Sequence, residues 1–432
     1  KAELPDIKDL GNMTEDPQAG HRIPLLSEID WQKAVGVPAE YSKNYTCIHE
    51  THLRAITLLQ VNAFAGFVEH VMAQMEIIDP RSATRIGWSA VNLYHINELF
   101  VMPLTREKQC SFVELVAEGR QEPIWFASHW WGTSFRDTQC MLNFHAKTRA
   151  LVASSAYWIC TFANNQHNLA ELAVADMLMT PFVLAIMSAS CKGTLMLMNK
   201  TAEPFKRTWC TLENFISTTI AKEGSASGHL LDIAAVIEEG DQKTNLRIIP
   251  CSPALLLDDG SGNLIDEVEA PSAQFPKEVC LQGVLVDIVT AHASNPTDKT
   301  NILRFITGDT NCEVAAPLTH PRYDEVNRAI HTIFAPRALY FAARDDGSAL
   351  VAKLLGDSLA SVNWQNPVGN TALFIAAASN GCAAMRVLLH ASADLELSNK
   401  QGVSPILIAS QANQTEAIGL LIAARADVNR PD

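Results

Sequence analysis

Between Gly369 and Ala377 the chain reads Gly-Asn-Thr-Ala-Leu-Phe-Ile-Ala-Ala, followed by Asn380-Gly381, Val387-Leu388-Leu389 and Ala393-Asp394-Leu395. The opening words return as Gly402-Val403-Ser404-Pro405-Ile406 and the closing ones as Ala426-Asp427-Val428, both 33 positions further on. A more degraded copy runs from Arg337-Ala338-Leu339 through Leu354-Leu355 to Val362-Asn363. A fixed period of about 20 to 50 residues is the mark of a stacked array. Each unit is two short helices that cannot bury their apolar stripe alone, so the copies must pack on one another.

These words match G-x-T-P-L-x-x-A-A, x-G, V-x-x-L-L and G-A-x-V-N almost step by step, and residues 336–432 therefore resemble ankyrin repeats, about three of them. The resemblance implies a protein partner. A helix expected around Asp324 to Phe334 would support the first copy. The last copy lacks an obvious polar cap, so we expect further chain or another surface over it.

Working outward, 432 residues imply two to four domains at about 100 to 200 residues each. A hydrophobic share of 48% with 19% charged residues is globular rather than disordered or fibrous. Thirty-three Lys plus Arg against 47 Asp plus Glu give a net charge of -14, which argues against a phosphate backbone as partner. The uncharged stretch Ala150 to Ala170 carries Asn164, Asn165, Gln166, His167 and Asn168, which a hydrocarbon core would not accept, so no membrane span is expected. Ten Cys without a CxxC pair read as reduced thiols of an intracellular protein, cytoplasmic in first place with an organelle left open. The chain begins at Lys1 with no charged-then-apolar leader, which reads as a processed start or a cut boundary.

Residues 1–50, rich in Pro, Asp and Gly, read as an extended arm. Residues 51–120 read as helical. There Leu53, Ile56, Leu59, Ala63, Phe67, Val71 and Met75 recur every three or four positions, and further helices are expected over Ala90 to Met102 and Cys110 to Ala117. Residues 121–255 alternate apolar runs with helical patterns. Ile124 to Ser128, Tyr157 to Ala163, Thr194 to Met198 and Leu246 to Ile249 are expected as strands of a parallel sheet covered on both faces. Ser134 should cap a helix whose inner face is Phe135, Met141, Leu142, Ala146 and Ala150. Residues 256–335 read as a loop and helical connector. The fold class is thus multidomain: a flavodoxin-like α/β sheet, a helical N-terminal region and a C-terminal repeat solenoid.

Ligands of doubly wound sheets bind beyond the carboxyl ends of the strands. Ser128-His129-Trp130-Trp131-Gly132 leaves the first strand toward a helix N-terminus, and Asn164-Asn165-Gln166-His167 leaves the second with amides able to donate and accept. Equally, the indoles could cover the sheet end and the amides form turns and caps. After the third strand comes Thr208-Trp209-Cys210-Thr211-Leu212-Glu213.

Strand, helix, strand and then Trp209-Cys210-x-x-Glu213 resemble the Toll/interleukin receptor (TIR) domain, whose third strand leads to S-x-W-C-x-x-E-L. Phe126-Ala-Ser128 resembles the F-x-S that ends the family's first strand, although His129-Trp130 stand where many members have an aromatic and an Arg. With Tyr157-Trp158 and Asn164-Asn165-Gln166, the pattern also resembles a family of protist proteins that often carry ankyrin repeats. Some TIR domains cleave the nicotinamide-ribose bond of NAD, so the resemblance implies Glu213 as catalytic carboxylate. Ser128, His129, Trp130, Asn164, Asn165 and Trp209 would then line the substrate site. NAD would be the substrate and no cofactor is implied. Departing nicotinamide leaves an oxocarbenium-like ribose that one carboxylate can stabilise, and a cationic leaving group needs no general acid. TIR domains also self-associate. The alternative is a non-catalytic scaffold or subunit of a large assembly, with Trp209 and Cys210 in the core and Glu213 near a helix N-terminus.

Other constellations carry less. Cys47, His49 and His52 read as capping and surface residues rather than a metal site. Cys210 could pair with His129 or His145 as a nucleophile, but its apolar setting favours an inert thiol. Asp258 to Asn263 lacks EF-hand spacing and reads as a surface loop.

Overall fold

The structure is a computed structural model describing residues 32, 36–41, 45–75, 77, 79, 84–168, 171, 176–219, 228–238, 244–250, 276–293, 296–309 and 316–429. Most of the expected arm and the loop Asp258 to Asn263 lie outside the described residues.

Six strands form one mixed sheet: β1 (Ile56–Thr57), β2 (Trp125–His129), β3 (Ala156–Trp158), β4 (Gly193–Met198), β5 (Leu230–Glu238) and β6 (Thr244–Pro250). Their order is β1-β3-β2-β4-β5-β6. β3, β2, β4 and β5 are parallel, while β1 and β6 add antiparallel edges. Taken alone in chain order, the parallel strands lie 2-1-3-4, so the winding reverses between β2 and β4.

Three expectations change. The sheet is not wholly parallel: β5 and β6 are joined by residues 239–243, too few for a parallel crossover. β5 itself was not expected, because Asp232 interrupts its apolar run. The second strand ends at Trp158, and Cys160–Ala163 is a helical turn instead.

The pleat of β2 divides the core. Trp125 and Ala127 join one layer with α1 (Leu58–Gln74), α2 (Phe112–Val116) and α3 (Phe135–Thr148). Phe126 joins the other, with α4 (Pro181–Ile186) and α5 (Thr208–Thr218). The first layer centres on Phe64, which meets Phe112, Phe135 and Phe162 at ring-centroid distances of 4.6, 5.9 and 5.6 Å. Tyr41 from the arm packs on Phe64 and Phe112. Ser134 caps α3 by accepting from Asp137 N, as expected, but Ala150 falls beyond the helix at φ +49°.

α1 buries a different stripe from the one expected: Leu58, Val61, Phe64, Ala65, Val68, Val71 and Met72 face the core, whereas Leu59 is 63% exposed. The cause is the start. Ile56 and Thr57 pair with β3, and Thr57 and Gln60 form a reciprocal capping box, which sets the helical phase from Leu58. The remaining N-terminal helices lie over Leu93–Ile96, Asn97–Val101 and Met102–Thr105, continuous in sequence.

Beyond the sheet come α6 (Lys277–Gly283), α7 (Pro296–Thr307), α8 (Pro321–Arg344) and α9 (Ser348–Gly356). The chain continues through α10 (Ala372–Ala378), α11 (Cys382–His390), α12 (Pro405–Gln411) and α13 (Thr415–Ala423). The period is written into the backbone. Asp346, Asn380 and Asn413 take φ of +56°, +56° and +55° after the first helix of each copy, and Gly369 and Gly402 take +86° and +83° in the intervening turns. Thr371 and Ser404 cap α10 and α12 by accepting from Phe374 N and Leu407 N. Asn366 and Asn399 each accept two backbone N–H groups within their turns.

The helix expected to support the first copy is continuous with that copy's own first helix, both being parts of α8. Its first half buries Ile330 and Phe334, and one core runs from Met196, Met198, Leu231 and Ile233 of the sheet through Phe334 to Met385 and Leu421 of the repeats. Array and sheet are one packed body. On the last copy Ile422 and Val428 are 52% and 59% exposed.

Candidate functional site

α5 begins where an irregular pairing fixes the chain: His292 N donates to Lys206 O, and Thr208 N donates to His292 O. From there Cys210, Glu213 and Ser217 fall on one face at helical spacing and lie along the sheet. Cys210 Sγ donates to His129 O at 3.5 Å, Ser128 Oγ donates to Glu213 Oε2 at 2.6 Å, and Ser217 Oγ is 2.6 Å from Thr194 Oγ1. Ser128 and His129 end β2, so the pair Ser128–Glu213 sits at the carboxyl end of a strand bordering the switch point. Glu213 is the sixth residue of α5, past its first turn, so the expected placement near a helix N-terminus is corrected.

The cluster is buried and weakly charged. Glu213 is 6% exposed, and burial pushes its carboxyl up to about 7, with the Ser128 hydroxyl pulling the other way. Burial lowers the His129 imidazole below its ordinary value, against the pull of the Ala127 carbonyl and Glu213. Its Nδ1 lies 3.0 Å from Ala127 O and its Nε2 3.7 Å from Cys160 Sγ. Burial raises the Cys160 thiol to about 12 and drives Cys210 up as well, so neither is an activated nucleophile at neutral pH. The arrangement presents a buried carboxyl, raised toward neutrality, that accepts a hydrogen bond from the Ser128 hydroxyl. Beside it, Asn214 is wholly buried, with neither side-chain polar atom hydrogen-bonded among the described residues.

Ser128, His129 and Glu213 are thus brought together, joined by Cys160 and Cys210. The other expected site residues are engaged elsewhere. The ring of Trp130 covers Gly132, where an added Cβ would fall 2.2 Å from it. Trp209 stacks on Phe182 at 4.9 Å and donates its indole N–H to Asp298. Asn164 is buried with Oδ1 unpartnered among the described residues. Asn165 donates to Gln109 O and accepts from His167 N, which turns it toward the N-terminal helices. Trp131 donates to Cys160 Sγ at 3.1 Å.

Two polar clusters escaped sequence reading. Asp232, wholly buried on β5, accepts from Arg149 through both carboxylate oxygens and lies 3.0 Å from His145 Nε2, while His145 Nδ1 lies 2.8 Å from the Tyr157 hydroxyl. A lone acid inside Leu-Leu-Asp-Ile-Ala-Ala was the available signal, since a buried carboxylate demands partners. His145 and Cys210 are not paired. The second cluster gathers Arg54, Glu114 and Glu171 from distant segments, and no spacing announces it. Cys47 Sγ lies 3.9 Å from both ring nitrogens of His49.

With this geometry in hand, comparison identifies residues 339–432 as ankyrin repeats in three copies. No curated protein matches the chain. Among the described residues no helix is long and apolar enough to cross a membrane, and no group of three or more His, Cys, Asp or Glu could hold a metal ion.

Proposed function

We propose that this chain is an intracellular interaction protein whose ankyrin repeats bind a protein partner and hold it at a fixed position against the α/β domain. The carrying observation is the core that sheet and array share through α8, which packs one against the other among the described residues. Such rigidity suits a scaffold or a subunit of a larger assembly. The test is photo-cross-linking on the full chain in cells. A photoreactive residue at exposed Gln401, in the turn between copies, should trap a partner, and one at exposed Glu118 should not. Equal trapping at both positions overturns the reading.

A second reading is favoured by one observation, the place of Glu213 at the end of β2 in a sheet whose parallel strands lie 2-1-3-4. In a TIR-like domain that acid would cleave NAD, with Ser128 and His129 beside it. Its burial means that the Ser128–Glu213 contact must open first, and self-association is the natural way to open it. NAD turnover by the concentrated chain, abolished in Glu213→Ala, supports this reading; absence of turnover, or turnover unchanged in the variant, removes it.

A further inference from the structure

A cavity of about 400 Å³ lies between the segment preceding β1 and residues 108–110, lined by neither Glu213 nor Ser128. Its volume is within the roughly 300–1,000 Å³ usual for small-molecule sites. A buried ion-pair cluster forms part of the wall. Arg54 Nε donates to Ile48 O at 2.7 Å, its Nη1 donates to Glu171 Oε2 at 2.8 Å, and its Nη2 stands 3.5 Å from Glu114 Oε1. The Arg54 and Glu114 side chains are each 5% accessible. Glu114 is also committed to the backbone, accepting from Ile48 N and Ser111 N at 2.9 Å each. The guanidinium is therefore held in one orientation before any ligand arrives.

The hydrogen-bonding capacity left over is specific. Lys108 Nζ gives one of its three protons to Glu107, which is 84% accessible and not part of the lining. Asn165 Nδ2 gives one of its two to Gln109 O. The Thr51 and Tyr45 hydroxyls have no hydrogen-bond partner among the described residues. These donors want an acceptor-rich group such as a carboxylate. Against them, Glu171 has one oxygen on Arg54 and the other without a hydrogen-bond partner among the described residues, with its side chain 29% accessible. Among the described lining residues formal charges balance, Arg54 and Lys108 against Glu114 and Glu171, so a net anion would meet two carboxylates and a simple amine two cations.

We propose that this cavity binds a small zwitterion, a free α-amino acid, with its carboxylate toward Lys108 and Thr51 and its ammonium toward Glu171. Cys47, exposed on the same wall, serves as a reporter of occupancy.

The test is calorimetry on the full chain with glycine, serine and glutamine, each beside its N-acetyl derivative and its decarboxylated amine, and with inorganic phosphate. At least one free amino acid should bind and slow alkylation of Cys47 by iodoacetamide. Loss of either charged group from the ligand should weaken binding about ten- to hundredfold, the value of one charge-assisted hydrogen bond. Lys108→Ala should weaken it similarly without lowering the melting temperature, because the side chain's hydrogen-bond partner is the exposed Glu107. Glu171→Gln should selectively remove the preference for a free ammonium. The proposal is overturned if no amino acid binds or protects Cys47, if N-acetyl forms bind equally well, if phosphate binds better, or if Lys108→Ala changes nothing.

Discussion

Ser128 on β2 and Glu213 on α5 are 85 positions apart in sequence, yet the hydroxyl donates to the carboxylate at 2.6 Å across a face closed to solvent. A buried acid whose described hydrogen-bond donor is a neutral hydroxyl is costly to ionise. The folded chain therefore keeps a proton that the unfolded chain releases above its ordinary value of about 4.3.

Stability from this group is fully present below about pH 4.3 and falls as pH rises toward about 7, where the folded carboxyl titrates. Glu213→Gln, which mimics the protonated acid, should gain on the wild type across that window and plateau above it, by about 3 kcal/mol. Urea unfolding of both chains at several pH values between 4 and 8 measures this. A flat difference refutes it.

Asp232 titrates the other way. Burial alone would raise its carboxyl, but hydrogen bonds from His145 and Arg149 outweigh that and hold it below the ordinary range, so its stabilisation persists above about pH 4 and is lost only in stronger acid. Asp232→Asn should cost about 3–5 kcal/mol, because it removes the buried carboxylate that Arg149 and His145 share. Pairing it with Arg149→Met should recover part of the loss. Equilibrium denaturation of the single and double variants decides.

Phe334 of α8 is wholly buried, meets Phe205 edge-on at 5.0 Å, and presses on Gly283, where an added Cβ would fall 2.4 Å from its ring. Phe334→Ala should cost about 3–5 kcal/mol. In the wild type, hydrogen exchange should report array and sheet opening together. The variant should let the repeats and the sheet open separately, and unchanged joint opening would contradict the shared core.

Two glycines of the array should respond in opposite senses. At Gly369, φ is +86° and a Cβ would sit 2.6 Å from Lys400 N, so Gly369→Ala should destabilise by about 1–3 kcal/mol. Gly419 lies inside α13 with nothing within 4 Å of an added Cβ, and Gly419→Ala should stabilise by about 0.5–1 kcal/mol. Thermal melts of the two variants check both signs.

Asn214 is a simpler case. Replacing an unpartnered buried amide by an apolar group of similar size removes a desolvation cost, so Asn214→Leu should raise stability by about 1–2 kcal/mol. A lower melting temperature would show that the amide is paired in solution.

The repeats were legible because their information is local: a turn glycine, a capping Thr or Ser and a leucine pair act within one period, and each neighbour repeats the instruction. β2 and β4 were legible for a similar reason, as continuous apolar runs. The stripe on α1 was not, because a strand pairing and a capping box fix where that helix begins, and two apolar faces compete until it does.

By itself the sequence determined the array and the alternation of strands and helices around β2 and β4, with the end of β2 placed one residue short of His129. Only the tertiary structure decided that β6 runs antiparallel, that α8 joins array to sheet, that Ser128 closes on Glu213, and that Arg54, Glu114 and Glu171 share a cavity wall. Apart from the β5–β6 pairing, these are contacts between segments tens of residues apart. Their strength comes from exclusion of water, which no local pattern records.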